Sequence, residues 1–392
     1  MHSGCMRVAF LQRRDRAIRR GGPPSAAQRR IGTMGSVTPC LVLDLSVVRD
    51  RYRALTAALP DARVLYAVKA NPDPDVLAAL AALGSGFDVA APAEAELALA
   101  AGAPPARLSY GNPVRKASEA AAAFALGVRE FVTDSPEDLA VLAGAAPGAS
   151  VLVRVDVDDA GSATPFGGKF GCAPATAAEL LRRAPELGLV PGGVAFHAGS
   201  QQLDPAAWAR GIAVASAAWP DTPLVDLGGG LPVAYDRPVP PPEAYATAVD
   251  DALCEHFPGR RPALAVEPGR FLVAEAGVLH AEVVRVSCRD DGRRWVYLDI
   301  GRYGGLAETE NEAIRYRITG PCDGGPTGPA VLAGPTCDGD DVLYRRVDLP
   351  LDLRAGDVVT LHAAGAYTAS YASVGFNGFA PLRVTCRDGA PA

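Results

Sequence analysis

From residue 64 onward the chain alternates short apolar runs, rich in β-branched and aromatic residues, with Ala- and Leu-rich stretches whose apolar positions recur at helical spacing. Eight such runs are VLYAVKA (64–70), FDVAA (87–91), LSYGN (108–112), FVTDS (131–135), VLVRVDV (151–157), GVAFHAG (193–199), LVDLGGG (224–230) and LAVEPGR (264–270). The stretches between them include DPDVLAALAAL, APAEAELALAAG and SPEDLAVLAG. Several open near an Asp, Ser or Thr, whose side chains can cap the free amides of a first helical turn. Eight strand–helix units with right-handed crossovers predict an α/β fold, a TIM-like (β/α)8 barrel over residues 46–275. An open doubly wound sheet is the alternative, but no G-x-G-x-x-G follows the first strand to favour it. After residue 275 the text becomes strand-rich without long helices (VLHAEVVRVSC, RRWVYLDIG, DVVTLHAAGAY, LRVTC), which predicts a C-terminal β domain, sandwich- or barrel-like, over 276–392. The apolar segment PCLVLDL, within 34–45, is expected to join that domain as an extra strand.

Charge and cysteine usage narrow the class. The first 33 residues hold eight arginines, one acid (Asp15) and the breaker cluster GGPPS. Removing their charge of about +7 from the net −6 leaves about −13, so the folded part is acidic and nucleic acid is not an expected partner. No apolar stretch follows these arginines, which argues against a secretory signal, although an Arg-rich, acid-poor start imitates a transit peptide. Residues 1–33 are read as a disordered extension, with Met34 as an alternative start. No apolar run reaches bilayer-spanning length, so no membrane partner is expected. The eight cysteines form no C-x-x-C pair and no metal-ligand spacing; no metal is expected, and a cytoplasmic setting fits.

Lysine is rare here: Lys69, Lys116 and Lys169 stand against thirty-five arginines. A strand-end lysine is often a surface cation whose stem lies along apolar surface. Lysine, unlike arginine, can also lose its proton and form a Schiff base. Position decides between these readings, because such barrels build their sites at the C-terminal strand ends. Lys69, Asp88, Arg154, His197, Gly228, Gly229, Gly230 and Glu267 all fall at or near those ends. The loops after the last two strands, DLGGGLP and EPGR, are where barrels of this kind commonly bind phosphate, and Arg270 adds a fork of donors. A phosphate site facing a strand-end lysine implies pyridoxal 5′-phosphate as cofactor. Glu267 would then face the pyridine nitrogen, and His197 the ring.

The stretches YAVKANP, FDVAAPAE, KFG, FHAGSQ, DLGGGLP, EPGRFLV, GPTCDGDD and GAYTASYASVGFNGF together resemble the pyridoxal-phosphate-dependent ornithine/diaminopimelate/arginine decarboxylase family, with its alanine-racemase-like barrel. The resemblance runs from about residue 38 to 384 and is nearest to the bacterial ornithine/lysine branch. It implies that Lys69 carries the cofactor, Glu267 pairs with its pyridine nitrogen and His197 stacks on its ring. Ser200, Gly228, Gly229, Gly230, Gly269, Arg270 and Tyr367 would hold its phosphate, while Asp88, Glu94 and Arg154 would form a polar shell around Lys69. It further implies a homodimer with shared active sites, in which the partner lends Cys337, to return a proton to Cα, and Asp338, to bind the substrate's distal ammonium. Lys169 would pair across the interface with Asp341. Tyr303, Phe376 and Glu312 complete the implied substrate site, with Glu308 and Glu310 also available beside Glu312.

The expected activity is decarboxylation of a basic L-amino acid, ornithine to putrescine first and lysine to cadaverine also, since one methylene changes binding by only about 1–3 kcal/mol. Diaminopimelate, arginine or a specialised amino acid is the alternative substrate. A non-catalytic regulatory homologue and a racemase are the rival classes. The first would be expected to lose Lys69 or Cys337, and the second to carry a tyrosine base in place of the Cys-Asp pair.

Overall fold

The computed structural model describes residues 37–166, 168–321 and 323–389. The stretch 1–33 and Met34 lie outside the described residues. Strand β1 (Cys40–Asp44) leads into helix Leu45–Ala58, whose first turn is capped by the Asp44 carboxylate accepting the Ser46 amide at 2.9 Å. There follow β2 (Ala62–Ala67), β3 (Gly86–Val89), β4 (Leu108–Tyr110), β5 (Glu130–Thr133), β6 (Ser150–Arg154), β7 (Ser162–Thr164), β8 (Val190–Ala195), β9 (Ser200–Gln202), β10 (Leu224–Asp226) and β11 (Ala263–Val266). All but β7 and β9 pair in parallel and close into an eight-stranded barrel in chain order. Helices such as Pro74–Ala82, Pro136–Ala145 and Pro242–His256 cover it, each opening on a proline, whose missing amide hydrogen costs nothing in a first turn.

The strands stop two to four residues before the apolar runs do. At its mouth the chain leaves the ladder and turns. Val68–Ala70 is a tight 3-10 turn rather than strand, held by the Tyr66 hydroxyl donating to the Asn71 carbonyl at 2.9 Å. The same Asn71 donates its side-chain amide to Gly365 at 2.8 Å, a partner 294 residues away. Outside the barrel, aromatic pairs fill the layer under the helices: Tyr66 meets Phe87 edge-on and Tyr110 stacks on Phe131. On the inner face Val132, Leu152 and Ala195 form a separate cluster, sharing their side of the sheet with Arg154 by the two-residue repeat of a strand.

The second sheet comprises β12 (Gly277–Cys288), β13 (Arg294–Leu298), β14 (Ile318–Thr319), β15 (Thr327–Ala333), β16 (Val342–Pro350), β17 (Val358–His362) and β18 (Arg383–Arg387). Its order is β14-β17-β12-β13-β15-β16, and β1 inserts between β12 and β18, antiparallel to the first and parallel to the second. Two of its connections, 302–312 and 363–371, reach the barrel mouth. The second is tied there by the Tyr367 amide donating to Ala70 at 2.8 Å. No described helix is long and apolar enough to cross a membrane.

Candidate active site

The turn after β2 delivers Lys69 into a cavity of about 550 Å³ at the C-terminal mouth of the barrel. Its Nζ stands 3.7 Å from Oδ2 of Asp88, a buried side chain of β3. Burial opposes the lysine's charge, but Asp88, Tyr367 and Glu267 outweigh that cost and hold the ammonium above its usual range. Asp88 also accepts the Gly111 amide at 3.1 Å. Any side chain at Gly111 would collide with the Asp88 carboxylate and crowd that of Glu267, so this glycine lets two acids approach one spot.

Glu267 follows β11 directly and faces the same cavity. Burial first, and then the neighbouring Asp226 and Asp88, raise its proton affinity well above that of an ordinary carboxylate, with Lys69 and Arg154 pulling the other way. Asp226, fully buried at the end of β10, is likewise pushed up to about 7, chiefly by burial. Arg154 rests its guanidinium against the rings of Phe166 and Phe170, at 5.1 and 4.9 Å. Glu94 lies one step back: its carboxylate accepts the Ala90 amide at 2.7 Å and reaches Lys69 only through the field.

His197 accepts the Gly199 amide on Nδ1 at 3.1 Å, which leaves Nε2 to carry any proton. Burial, then Arg154 and Lys69, drive its pKa well below the ordinary value, so the ring is neutral. Phe166 props it edge-on at 4.7 Å.

Across the mouth from Lys69 the loop after β10 and the turn after β11 form an anion cradle. A Cβ at Gly229 would press on the Glu267 carbonyl and the His197 ring; one at Gly230, where φ is +102°, would strike Gly199. Gly269 brings its backbone beneath the Tyr367 hydroxyl. Arg270 opens a one-turn helix, is buried, and donates to Ser200 Oγ at 3.2 Å and to the Tyr235 hydroxyl at 2.9 Å. Tyr367 itself sits at φ +54°, a left-handed conformation that a bulky residue adopts only when its surroundings impose it.

Two expectations from the sequence need correction. Gly228 is not part of the cradle: its amide is committed to Asp226 Oδ1 at 3.0 Å, so the residue shapes the loop instead. Glu312 does not face the Lys69 cavity. Asn311 and Glu312 both have positive φ, which turns the Glu312 carboxylate away to the Arg345 amide at 2.9 Å and to Arg315, leaving Glu308 and Glu310 on the cavity wall. Asp341 is buried, and its carboxylate accepts the Arg302 amide, the Thr336 amide and the Thr336 hydroxyl at 2.8, 3.1 and 2.7 Å. Lys169 lies over the Phe170 ring of its own chain.

Cys337, Asp338, Tyr303 and Phe376 are brought together, but not at Lys69. Cys337 is exposed, and Asp338 lies beside the Tyr303 hydroxyl. The rings of Tyr303 and Phe376 meet at 4.6 Å beside a second cavity of about 330 Å³. The sequence reading missed Asn377, whose amide group brackets the cysteine: Oδ1 accepts the Cys337 amide at 3.1 Å and Nδ2 donates to Sγ at 3.3 Å. It also missed Tyr235, which accepts from Arg270, and Gln201, which lines the Lys69 cavity, and only the Asn-Gly step of GFNGF offered any local signal, for a turn.

Residues 45–274 match the family model described as pyridoxal-dependent decarboxylase, pyridoxal binding domain. The chain is 36% identical over 357 residues to a lysine/ornithine decarboxylase of Selenomonas ruminantium, covering 87% of this chain and 88% of that one. The structure of Vibrio vulnificus lysine/ornithine decarboxylase complexed with cadaverine is similar with a TM-score of 0.81 and 32% identity, over 93% of this chain and 97% of its own. An arginine decarboxylase of Paramecium bursaria Chlorella virus, bound to agmatine, gives 0.83 at 27% identity, over 90% and 96%.

Proposed function

The chain belongs to the pyridoxal-dependent decarboxylases that act on basic amino acids, and from that premise we propose that its preferred reaction is ornithine to putrescine, with lysine to cadaverine as a second activity. The observation that carries this reading is the convergence of Lys69, Glu267 and the Gly229–Gly230–Arg270 cradle on one cavity. These residues fit pyridoxal phosphate. Gly229, Gly230 and Gly269 let the cradle's loops close on their neighbours, since a Cβ on any of them would strike protein atoms, and Nε of the buried Arg270 has no partner among the described residues, so a donor remains for an anion. When bound, the cofactor supplies an electron sink conjugated to the substrate's α-carbon.

The chain's own groups then take the following roles. Lys69 would be the amine that holds the cofactor's aldehyde. Asp88 keeps that amine positioned and cationic until it is needed. Glu267, with its raised proton affinity, would share a proton with the pyridine nitrogen and so help keep the ring electron-poor. His197, neutral and propped by Phe166, would face the cofactor's ring without adding a positive charge. Gly229, Gly230, Gly269, Ser200, Arg270 and Tyr367 would hold the phosphate.

The group of Cys337, Asp338, Tyr303 and Phe376 supports a homodimer with shared sites. It lies on an exposed surface away from its own Lys69, among exposed apolar side chains such as Val37, Val374 and Phe379. Seated over a partner's cavity, the Cys337 thiol would return a proton to Cα and Asp338 would meet the distal ammonium. The acid-rich turn CDGDD favours a substrate ending in a cation over one ending in a second amino acid head. Release of CO2 from L-ornithine, L-lysine, L-arginine and meso-diaminopimelate, with added pyridoxal phosphate, tests the reading. Ornithine should lead, with lysine next; a preference for diaminopimelate, or no release at all, contradicts it.

A further inference from the structure

We infer that Glu308 is a built-in substitute for the cofactor's phosphate: it holds the Arg270 fork in the cradle, and the cofactor binds by exchanging it. This rests on the assignment to pyridoxal phosphate chemistry made above.

The pair is bidentate. Arg270 donates through Nη1 to Glu308 Oε2 at 2.7 Å and through Nη2 to Oε1 at 2.6 Å, the two-pronged geometry that a guanidinium also offers to two phosphate oxygens. It is also buried, with side-chain exposures of 4% and 9%. The same Nη2 reaches Ser200, the same Nη1 reaches Tyr235, and the guanidinium lies 4.9 Å from the centroid of the Tyr367 ring. Glu308 therefore stands among the very groups that form the anion cradle. The two Nη groups are committed to Glu308, Tyr235 and Ser200, which leaves an incoming phosphate only Nε, and two anions side by side in a buried place repel strongly. A phosphate that takes the paired Nη donors of Arg270 must displace Glu308.

The segment carrying Glu308 suits such an exchange. Ala307–Glu312 is an irregular turn with two non-glycine residues in the left-handed region, Asn311 and Glu312. Its far end is fixed by the Glu312 carboxylate on the Arg345 amide, so Glu308 can withdraw without unseating the turn. Before the cofactor arrives the pair spares Arg270 from lying buried without a counter-ion, which would destabilise the fold. The consequence is that phosphate binding always competes with an internal carboxylate, and cofactor affinity is lower than the cradle alone would give.

Dissociation constants for pyridoxal 5′-phosphate and for pyridoxal, measured by equilibrium absorbance and tryptophan fluorescence on the full chain, Glu308→Ala and Glu308→Gln, test this. In both variants pyridoxal 5′-phosphate should bind about tenfold or more tightly, because a charge-assisted pair no longer competes. Pyridoxal, which has no phosphate, should change by less than about twofold. Unchanged or weaker phosphate-ester binding, or a parallel gain for pyridoxal, overturns the exchange. If the alanine variant does not fold, the glutamine variant, of equal size and uncharged, carries the test alone. A wild-type chain that takes up neither compound refutes the decarboxylase reading beneath this one, an outcome distinct from failure of the exchange.

Discussion

Lys69 and Asp88 stand on adjacent strand ends with Nζ and Oδ2 3.7 Å apart, and the carboxylate is buried while half of the lysine side chain faces the cavity. The field of Asp88 is the largest of the influences that hold the Lys69 ammonium charged. Condensation with an aldehyde needs the free amine. Asp88→Asn should therefore shift the pH profile of cofactor incorporation to lower pH, by about one unit or more. Stopped-flow absorbance across pH 6–9 measures it, and an unmoved profile would contradict the role.

Asp226 supplies a stability test with a definite sign. Its folded pKa is about 7, against about 3.9 in an unfolded chain, so between these values the folded state binds more protons. The stability it contributes is fully present below the unfolded value and is lost as pH rises through 7. Asp226→Asn, which still can accept the Gly228 amide, should gain stability relative to the wild type on the order of a few kcal/mol between pH 4 and 8. Urea denaturation at the two ends of that range measures the difference. A gap that does not widen with pH would argue against a protonated Asp226.

Glu312 is an anchor of its own turn rather than a gauge of substrate length. Glu312→Ala should lower stability by about 1 kcal/mol through loss of its bond to the Arg345 amide, and leave the ratio of kcat/KM for ornithine and lysine within about twofold. A large change in that ratio would put the carboxylate back in the substrate site.

Shared sites predict complementation between two inactive variants. Lys69→Ala and Cys337→Ala chains, refolded together, should regain about a quarter of wild-type activity, since half of the dimers are mixed and each mixed dimer has one intact site. No recovery in verified mixed dimers would mean that Cys337 serves its own chain or none.

The order of strands was legible because a period-two apolar run followed by a period-3.6 run is a signal carried by neighbouring residues. Strand ends were overrun because apolar side chains continue into the turns. Val68 looks like strand, and what bends it is Asn71 reaching Gly365, a contact that no local pattern records. Lys69, Glu267 and Arg270 were found because rare chemistry fell at positions the barrel makes special. Glu312 was misjudged because three glutamates alternate along one turn, and two positive φ values decide which of them face the cavity. Asn377 was missed because its contact with Cys337 joins residues forty positions apart.

The most direct test of the account is borohydride reduction of the pyridoxal-phosphate-loaded protein, followed by peptide mapping. The predicted result is a single pyridoxyl label, on Lys69, absent from Lys69→Ala. A label on Lys116 or Lys169, or none on any lysine, would contradict the account.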